Sequence, residues 1–130
     1  MTRSLLLAAA GCAALAALGA GPALAAPAAK AHQQCFYARN VDNFTPVDER
    51  TVNIRVGVKD VYQLDLFAPC NDLKWNETIA IRSRGSSWIC SGLDVELISP
   101  TPIGPQRCPV RSLRKLTPEE VAALPAKQRP

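Results

Sequence analysis

The chain has 130 residues, with 15 Lys and Arg against 11 Asp and Glu and a formal net charge of +4. That length holds one domain beside a leader, and so mild a charge leaves no electrostatic footprint for nucleic acid. Five cysteines accompany a single histidine, and their meaning depends on compartment: metal or redox groups where thiols stay reduced, disulfides where they oxidise.

The N-terminus decides the compartment. Arg3 supplies a positive n-region, residues 5–18 form an apolar stretch of Ala and Leu, and Gly19, Gly21 and Pro22 then break any helix. Ala23-Leu24-Ala25 satisfies the small-x-small rule of a signal peptidase. A cut after Ala26 would leave Pro27 at the disfavoured next position, so residues 1–25 are read as the signal peptide. The apolar run falls short of the ~20 residues that a spanning helix needs, and no second run of that length follows. The mature chain is therefore expected to be exported, periplasmic or secreted, with no transmembrane segment. Ala9-Ala10-Gly11-Cys12 is a loose match to a lipoprotein box, but Ala9 stands where Leu is usual, so a lipid anchor through Cys12 is the weaker reading. Residues 26–34 are Ala-rich and aperiodic. They predict a disordered lead, and the one histidine, His32, lies in it.

From Cys35 the pattern becomes short strand-like runs between turn residues. Residues 36–41 are a candidate strand, 43–47 are extended, and Asp48-Glu49-Arg50 is a turn. Residues 51–58 alternate, with Val52, Ile54, Val56 and Val58 on one face and Asn53, Arg55 and Gly57 on the other. Lys59-Asp60 connects to residues 61–67, where Tyr62, Leu64 and Leu66 share a face opposite Gln63 and Asp65. A loop follows over 68–72. Residues 78–83 are a strand with Ile79 and Ile81 inward, turned back by Arg84-Gly85-Ser86-Ser87 into Trp88-Ile89-Cys90, with Trp88 expected in the core and Trp75 unassigned. Residues 94–98 form another run. Pro100, Pro102, Gly104 and Pro105 predict a stiff irregular connection, and residues 108–113 a last strand. Strands at this spacing predict a mainly β fold, a small antiparallel meander closing as a barrel or sandwich.

Thr117-Pro118-Glu119-Glu120 predicts one short C-terminal helix. Thr sits at the N-cap, Pro at the first helical position and Glu120 at the third, which is a capping box with a favourable Pro. Pro125 stops the helix. Val121 and Leu124 are expected to dock on the sheet, since two turns are not stable alone. Residues 35–124 thus read as one disulfide-bonded β domain and residues 125–130 as a flexible tail.

The chemistry is bounded by spacing. Cys35, Cys70, Cys90 and Cys108 contain no close Cys-x2-Cys pair, which argues against zinc and thiol redox catalysis. They predict two structural disulfides, and three connectivities are possible. If strands succeed one another in a simple meander, Cys70 and Cys90 meet at one end and Cys35 and Cys108 tie the first strand to the last. A lone histidine in the lead leaves Ser86, Ser87 and Ser91 without a base, so they read as turn residues. Asp60, Asp65, Asp72, Asp94 and Glu96 are the carboxylates open to two-acid hydrolysis. Three of them flank turns, and Asp65 and Glu96 are expected on outward strand faces. Arg82-Ser83-Arg84-Gly85-Ser86-Ser87 lacks the Gly spacing and Lys of a phosphate loop. Asn43-Phe44-Thr45 and Asn76-Glu77-Thr78 match glycosylation sequons and are read as chance matches in a chain with a bacterial-type leader. Arg107, Arg111, Arg114, Lys115, Lys127 and Arg129 gather a basic excess that suits weak contact with anionic surfaces.

These residues resemble a family of short exported bacterial proteins, the domain of unknown function 6491. The resemblance is carried by Cys35-Phe36, by residues 47–52 and 55–62, by Ser83-Arg84-Gly85 with Trp88-Ile89-Cys90, and most of all by Gly104-Pro105-Gln106-Arg107-Cys108-Pro109-Val110-Arg111 leading into residues 115–120. It implies an exported protein and brings no catalytic residue, cofactor or metal with it. The expectation is a non-enzymatic envelope or periplasmic module that binds or stabilises an envelope protein or polymer. An inhibitor of a hydrolase is the specific alternative and a two-carboxylate hydrolase the third reading. Exposed rigid loops at residues 70–76 and 99–105 would favour the inhibitor, and a pocket with two facing acids the enzyme.

Overall fold

The computed structural model describes residues 35–130. The expected signal peptide (1–25), the lead (26–34), Cys12 and His32 lie outside the described residues. Eight strands and one short helix, α1 (Pro118–Ala123), follow from Cys35 onward. The fold class is the expected one: mainly β and antiparallel, with two disulfides.

Strand order is less simple than a single meander. β2 (Val41–Pro46), β3 (Thr51–Val56) and β4 (Asp60–Leu66) form one three-stranded meander. β5 (Ala80–Ser83), β7 (Val95–Thr101) and β8 (Gly104–Lys115) form a second. β8 pairs with β4 and joins them in the order β2-β3-β4-β8-β7-β5, a sheet curled into a half-barrel. β1 (Phe36–Tyr37) and β6 (Trp88–Ile89) make a separate two-stranded ribbon. The core fills the concave side. Val52 and Ile54 from β3, Leu64 and Leu66 from β4, Leu97 from β7 and Val110 from β8 are all fully buried, as the alternation of β3 and β4 predicts. Val58 is a correction. It lies past the end of β3, in the turn that Gly57 enters at φ +62°, and is exposed.

The order of strands overturns the expected disulfide pairing. Because β8 lies beside β4, with Leu66 opposite Val110 and the Phe67 amide donating to the Pro109 carbonyl, the chain leaving β4 reaches Cys108. Cys70 therefore bonds Cys108 and not Cys90. In the ribbon Phe36 faces Ile89, so Cys35 lies beside Cys90 and bonds it in place of Cys108. The bridges interleave along the chain where nesting was expected.

β8 is longer than expected and changes phase. A bulge sets Asp65 opposite Ser112 but Leu66 opposite Val110, leaving Arg111 as the extra residue. Cys108 and Val110 face inward before the bulge. After it Leu113 lies opposite Leu64 and packs on the core, and Lys115 lies opposite Tyr62. The bulge thus lets one strand serve both halves of the sheet. The irregular connection expected over residues 100–105 is instead a tight hairpin, with Pro100 opposite Pro105 and Thr101 opposite Gly104. Its prolines are tolerated because β5 pairs with β7 only to Ile98 and β4 with β8 only from Val110. Beyond those points no outer strand pairs with the ribbon, so no ladder misses a proline N–H.

α1 forms as its sequence dictates. The Thr117 hydroxyl accepts from the Glu120 amide at 3.2 Å, and Glu120 accepts from the Thr117 amide at 2.8 Å. That amide, with Arg114, holds the Glu120 carboxyl below the usual range. Val121 and Leu124 are half-buried. Residues 126–130, expected as a loose tail, lie on the convex face of the sheet. The Gln128 carbonyl accepts from Asn53 Nδ2 at 2.9 Å, the Arg129 carbonyl from Thr45 Oγ1 at 3.1 Å, and the Pro130 carbonyl from Arg55 at 3.5 Å. Asn53 is on the outward face as predicted, yet fully buried beneath this strap. Its Oδ1 accepts from Gln63, which accepts in turn from Arg114. Asn53→Ala is expected to lower stability by about 1–2 kcal/mol in urea unfolding and to speed tryptic cleavage at Lys127. An unchanged cleavage rate would show that the strap does not depend on Asn53.

Candidate binding surface

Where β4 ends, the chain must turn back beneath the long β7–β8 hairpin. Cys70 is fully buried and bonded to Cys108, its amide donates to the Glu49 carbonyl at 2.8 Å, and Leu73 drops into the core. Between these anchors Asp72 adopts a left-handed conformation at φ 62°, and its carbonyl accepts from the amides of Trp75 and Asn76 at 3.0 and 2.9 Å. Asp tolerates that conformation better than most residues. The loop is stitched to the hairpin by amide side chains. The Asn71 amide donates to Gln106 Oε1 at 3.1 Å. Asn76 Nδ2 donates to Ser99 Oγ and to the Pro100 carbonyl, and Ser99 is fully buried.

This bracing carries exposed apolar groups. Trp75 is 86% exposed, and Ile103, at the hairpin tip, is 100% exposed. Phe67, where β4 gives way to the loop, is also exposed. Between loop and hairpin runs a cleft of ≈ 660 Å³ lined by Asn71, Asp72, Pro102, Ile103, Pro105 and Gln106. The two loops that sequence reasoning singled out over 70–76 and 99–105 are therefore neighbours. A disulfide, buried Leu73 and three amide contacts hold them together. Nothing local in either segment indicates that they meet, since they approach through the β4–β8 pairing.

The acidic candidates are dispersed and individually engaged. Asp60 pairs with Lys115 at 2.8 Å, a hydrogen bond that raises the Lys115 pKa. Asp65 accepts from Ser112 Oγ at 2.8 Å. Asp94 accepts from the amides of Cys90 and Ser91 at 3.1 and 2.9 Å, and these donors, the Cys90 amide foremost, hold its carboxyl below the usual range. Glu96 is on the outward face of β7 as expected, yet buried between β5 and β8 with Arg84 at 3.5 Å. Asp72 lies in the braced loop. Among the described residues no three His, Cys, Asp or Glu side chains converge.

Arg82, in β5, and Arg84 lead into the turn before β6, where Ser86 Oγ accepts from the Trp88 amide at 3.2 Å. Of the basic C-terminal residues, Arg114 pairs with Glu120, Lys115 with Asp60, and Arg129 donates to the Ala122 and Leu124 carbonyls. The basic excess is thus partly committed within the fold. Trp88, expected in the core, is 56% exposed, because Ile89 takes the inward position of β6. No helix among the described residues is long and apolar enough to cross a membrane.

No curated protein and no solved structure matches the chain. A family model described as "Family of unknown function (DUF6491)" does match it over residues 1–130, and the chain belongs to that family.

Proposed function

We propose that the protein is an exported, non-enzymatic binding module of the cell envelope, cleaved after Ala25, and that the braced loop end makes its partner contact. One observation carries this reading: Trp75 and Ile103, from segments far apart in sequence, stand exposed on two loops fixed to each other. Exposed apolar groups on rigid loops lose little conformational entropy on binding, and tryptophan is among the residues most enriched at interface centres. A mobile loop would have to be ordered at a cost of about 0.5–1.5 kcal/mol for each side chain immobilised. The same surface supports the more specific reading of a hydrolase inhibitor. The hairpin tip is a two-residue turn with a fully exposed Ile103, narrow enough to enter a cleft.

The test is a paired capture from envelope extract with the mature domain and its Trp75→Ala/Ile103→Asp variant. Both sites are exposed, so the variant is expected to keep its unfolding midpoint within about 0.5 kcal/mol. The wild-type domain should retain a partner that the variant loses. Inhibition of that partner's hydrolytic activity by the wild-type domain alone would select the inhibitor reading. Equal recovery by both proteins would contradict the assignment of the loop end.

A further inference from the structure

At the opposite end of β4 from the braced loops, the ribbon of β1 and β6 presents a second surface. Each strand has two residues. Phe36 and Ile89 face each other and are buried, while Tyr37 and Trp88 face each other on the outer side. The two outer rings meet edge-on, with centroids 5.5 Å apart at 67°. So short a ribbon gains little from its own ladder. It is held by the Cys35–Cys90 bridge, by the Ala38 amide donating to the Ser87 carbonyl at 2.9 Å, and by Ser86 Oγ under the Trp88 backbone. Beside the rings opens a cleft of ≈ 360 Å³ lined by Tyr37, Trp88, Asn40, Lys59, Asp60 and Tyr62. Asn40 and Lys59 are exposed, and among the described residues their side chains make no hydrogen bond or ion pair. Asp60 gives Oδ2 to Lys115 and keeps Oδ1 for another donor.

We propose that this cleft binds a hexopyranose unit of a polysaccharide. A pyranose ring has two chemically distinct parts. Its C–H face is apolar and slightly positive, which suits the negative face of an aromatic ring. Its rim of hydroxyls needs both donors and acceptors within one small site. The cleft's lining supplies both parts: the Trp88 and Tyr37 rings, and with them the Asp60 carboxylate, the Asn40 amide that donates and accepts, and the Lys59 ammonium donor. Its volume falls within the ~300–1,000 Å³ of small-ligand sites. Its lining shares no residue with the loop-end cleft, so the site stands independently of the protein-binding reading and would make the module a bridge between a glycan and a protein.

The probes are chitohexaose and cellohexaose, titrated into the 15N-labelled mature domain. The two tryptophan indole N–H signals distinguish the ends of the molecule without mutation. At least one oligosaccharide should give a saturable shift at Trp88 and Asn40 and leave Trp75 unmoved. Trp88→Ala should weaken binding by about tenfold, the equivalent of one lost stacking contact. Asn40→Ala, at an exposed position where folding is not at stake, should weaken it severalfold. Co-sedimentation of the wild-type domain, but not the Trp88→Ala variant, with purified peptidoglycan sacculi would place the sugar in the cell wall. Binding of the oligosaccharide without the sacculi would place it in another polysaccharide. No shift at millimolar concentration of either oligosaccharide, a shift centred on Trp75, or undiminished binding by the Asn40→Ala variant would overturn the proposal.

Discussion

Replacing Cys70 and Cys108 together by alanine is expected to lower the unfolding free energy by about 4 kcal/mol. The bridge closes a sequence separation of 38 residues, and a cross-link of that span restricts the unfolded chain by roughly that amount in the chain-entropy account. Both residues are also buried in the core, so their removal leaves apolar volume unfilled. Against a total of ~5–15 kcal/mol for a typical domain, the loss would leave little stability. The Cys35→Ala/Cys90→Ala variant spans 55 residues and has a similar entropic term. Its cysteines are only half-buried, so the accompanying packing loss is smaller. Urea unfolding of the two double variants under non-reducing conditions should therefore rank Cys70/Cys108 as the costlier pair. The reverse ranking would mean that the core contribution of Cys70 and Cys108 is misjudged. A functional consequence follows as well. Without its bridge the loop over 70–76 keeps Leu73 and its amide contacts but loses its covalent hold on β8. Partner capture should weaken even at temperatures where the variant stays folded.

Gly92→Ala is the second large effect, at about 3 kcal/mol. Gly92 opens a single 3-10 turn (Gly92–Asp94) that lies directly on the bulged stretch of β8. A Cβ at this position would stand 2.6 Å from the Ser112 nitrogen, 2.7 Å from the Arg111 carbonyl carbon and 2.8 Å from its oxygen. All three are backbone atoms in the middle of the sheet, so no side-chain rotation relieves the contact. The turn must lift off the bulge, and with it goes Asp94, whose carboxylate caps the amides of Cys90 and Ser91. Gly85→Ala is the control. Its φ is +93°, yet nothing lies within 4 Å of the added carbon, so only backbone strain of roughly 1–2 kcal/mol is expected. Thermal unfolding of the two variants measures the difference. Equal losses would show that the close approach at Gly92 relaxes without cost.

How much of this was legible in the chain depends on the range of the interaction. The alternation of Val52, Ile54 and Val56 with Asn53 and Arg55 identifies β3 because the period of a half-buried strand is written locally. Thr117, Pro118 and Glu120 identify α1 for the same reason, since each capping contact spans three residues. The pairing of β4 with β8 is different. Leu64 and Leu113 are strand partners 49 residues apart, and no local pattern distinguishes β8 from β5 as the neighbour of β4. That one ambiguity misassigned both disulfides, although the identity of the four bonded cysteines was readable from spacing and the leader. The phase change at Arg111 was hidden too, because a bulge interrupts the alternation that would reveal it. Trp88 was misplaced because a two-residue strand has no period to read, and its size suggested the core. Glu96 lies on the outward face as expected, between inward Val95 and Leu97, but its burial was hidden because Arg84, the partner that accompanies it, reaches it from twelve residues away. Of the candidate surface, the two loops were recognisable by their Pro, Asn and Asp content. Their contact through Asn71, Gln106, Asn76 and Ser99 was not, since it depends on the strand order.

The interleaved bridges are therefore the central claim: Cys70–Cys108 fixes the loop end and Cys35–Cys90 fixes the aromatic ribbon. Mass spectrometry of peptides from the mature, non-reduced protein tests it most directly. The account predicts cross-linked peptides joining Cys35 to Cys90 and Cys70 to Cys108, each released by reduction. A peptide joining Cys70 to Cys90, or Cys35 to Cys108, would contradict it.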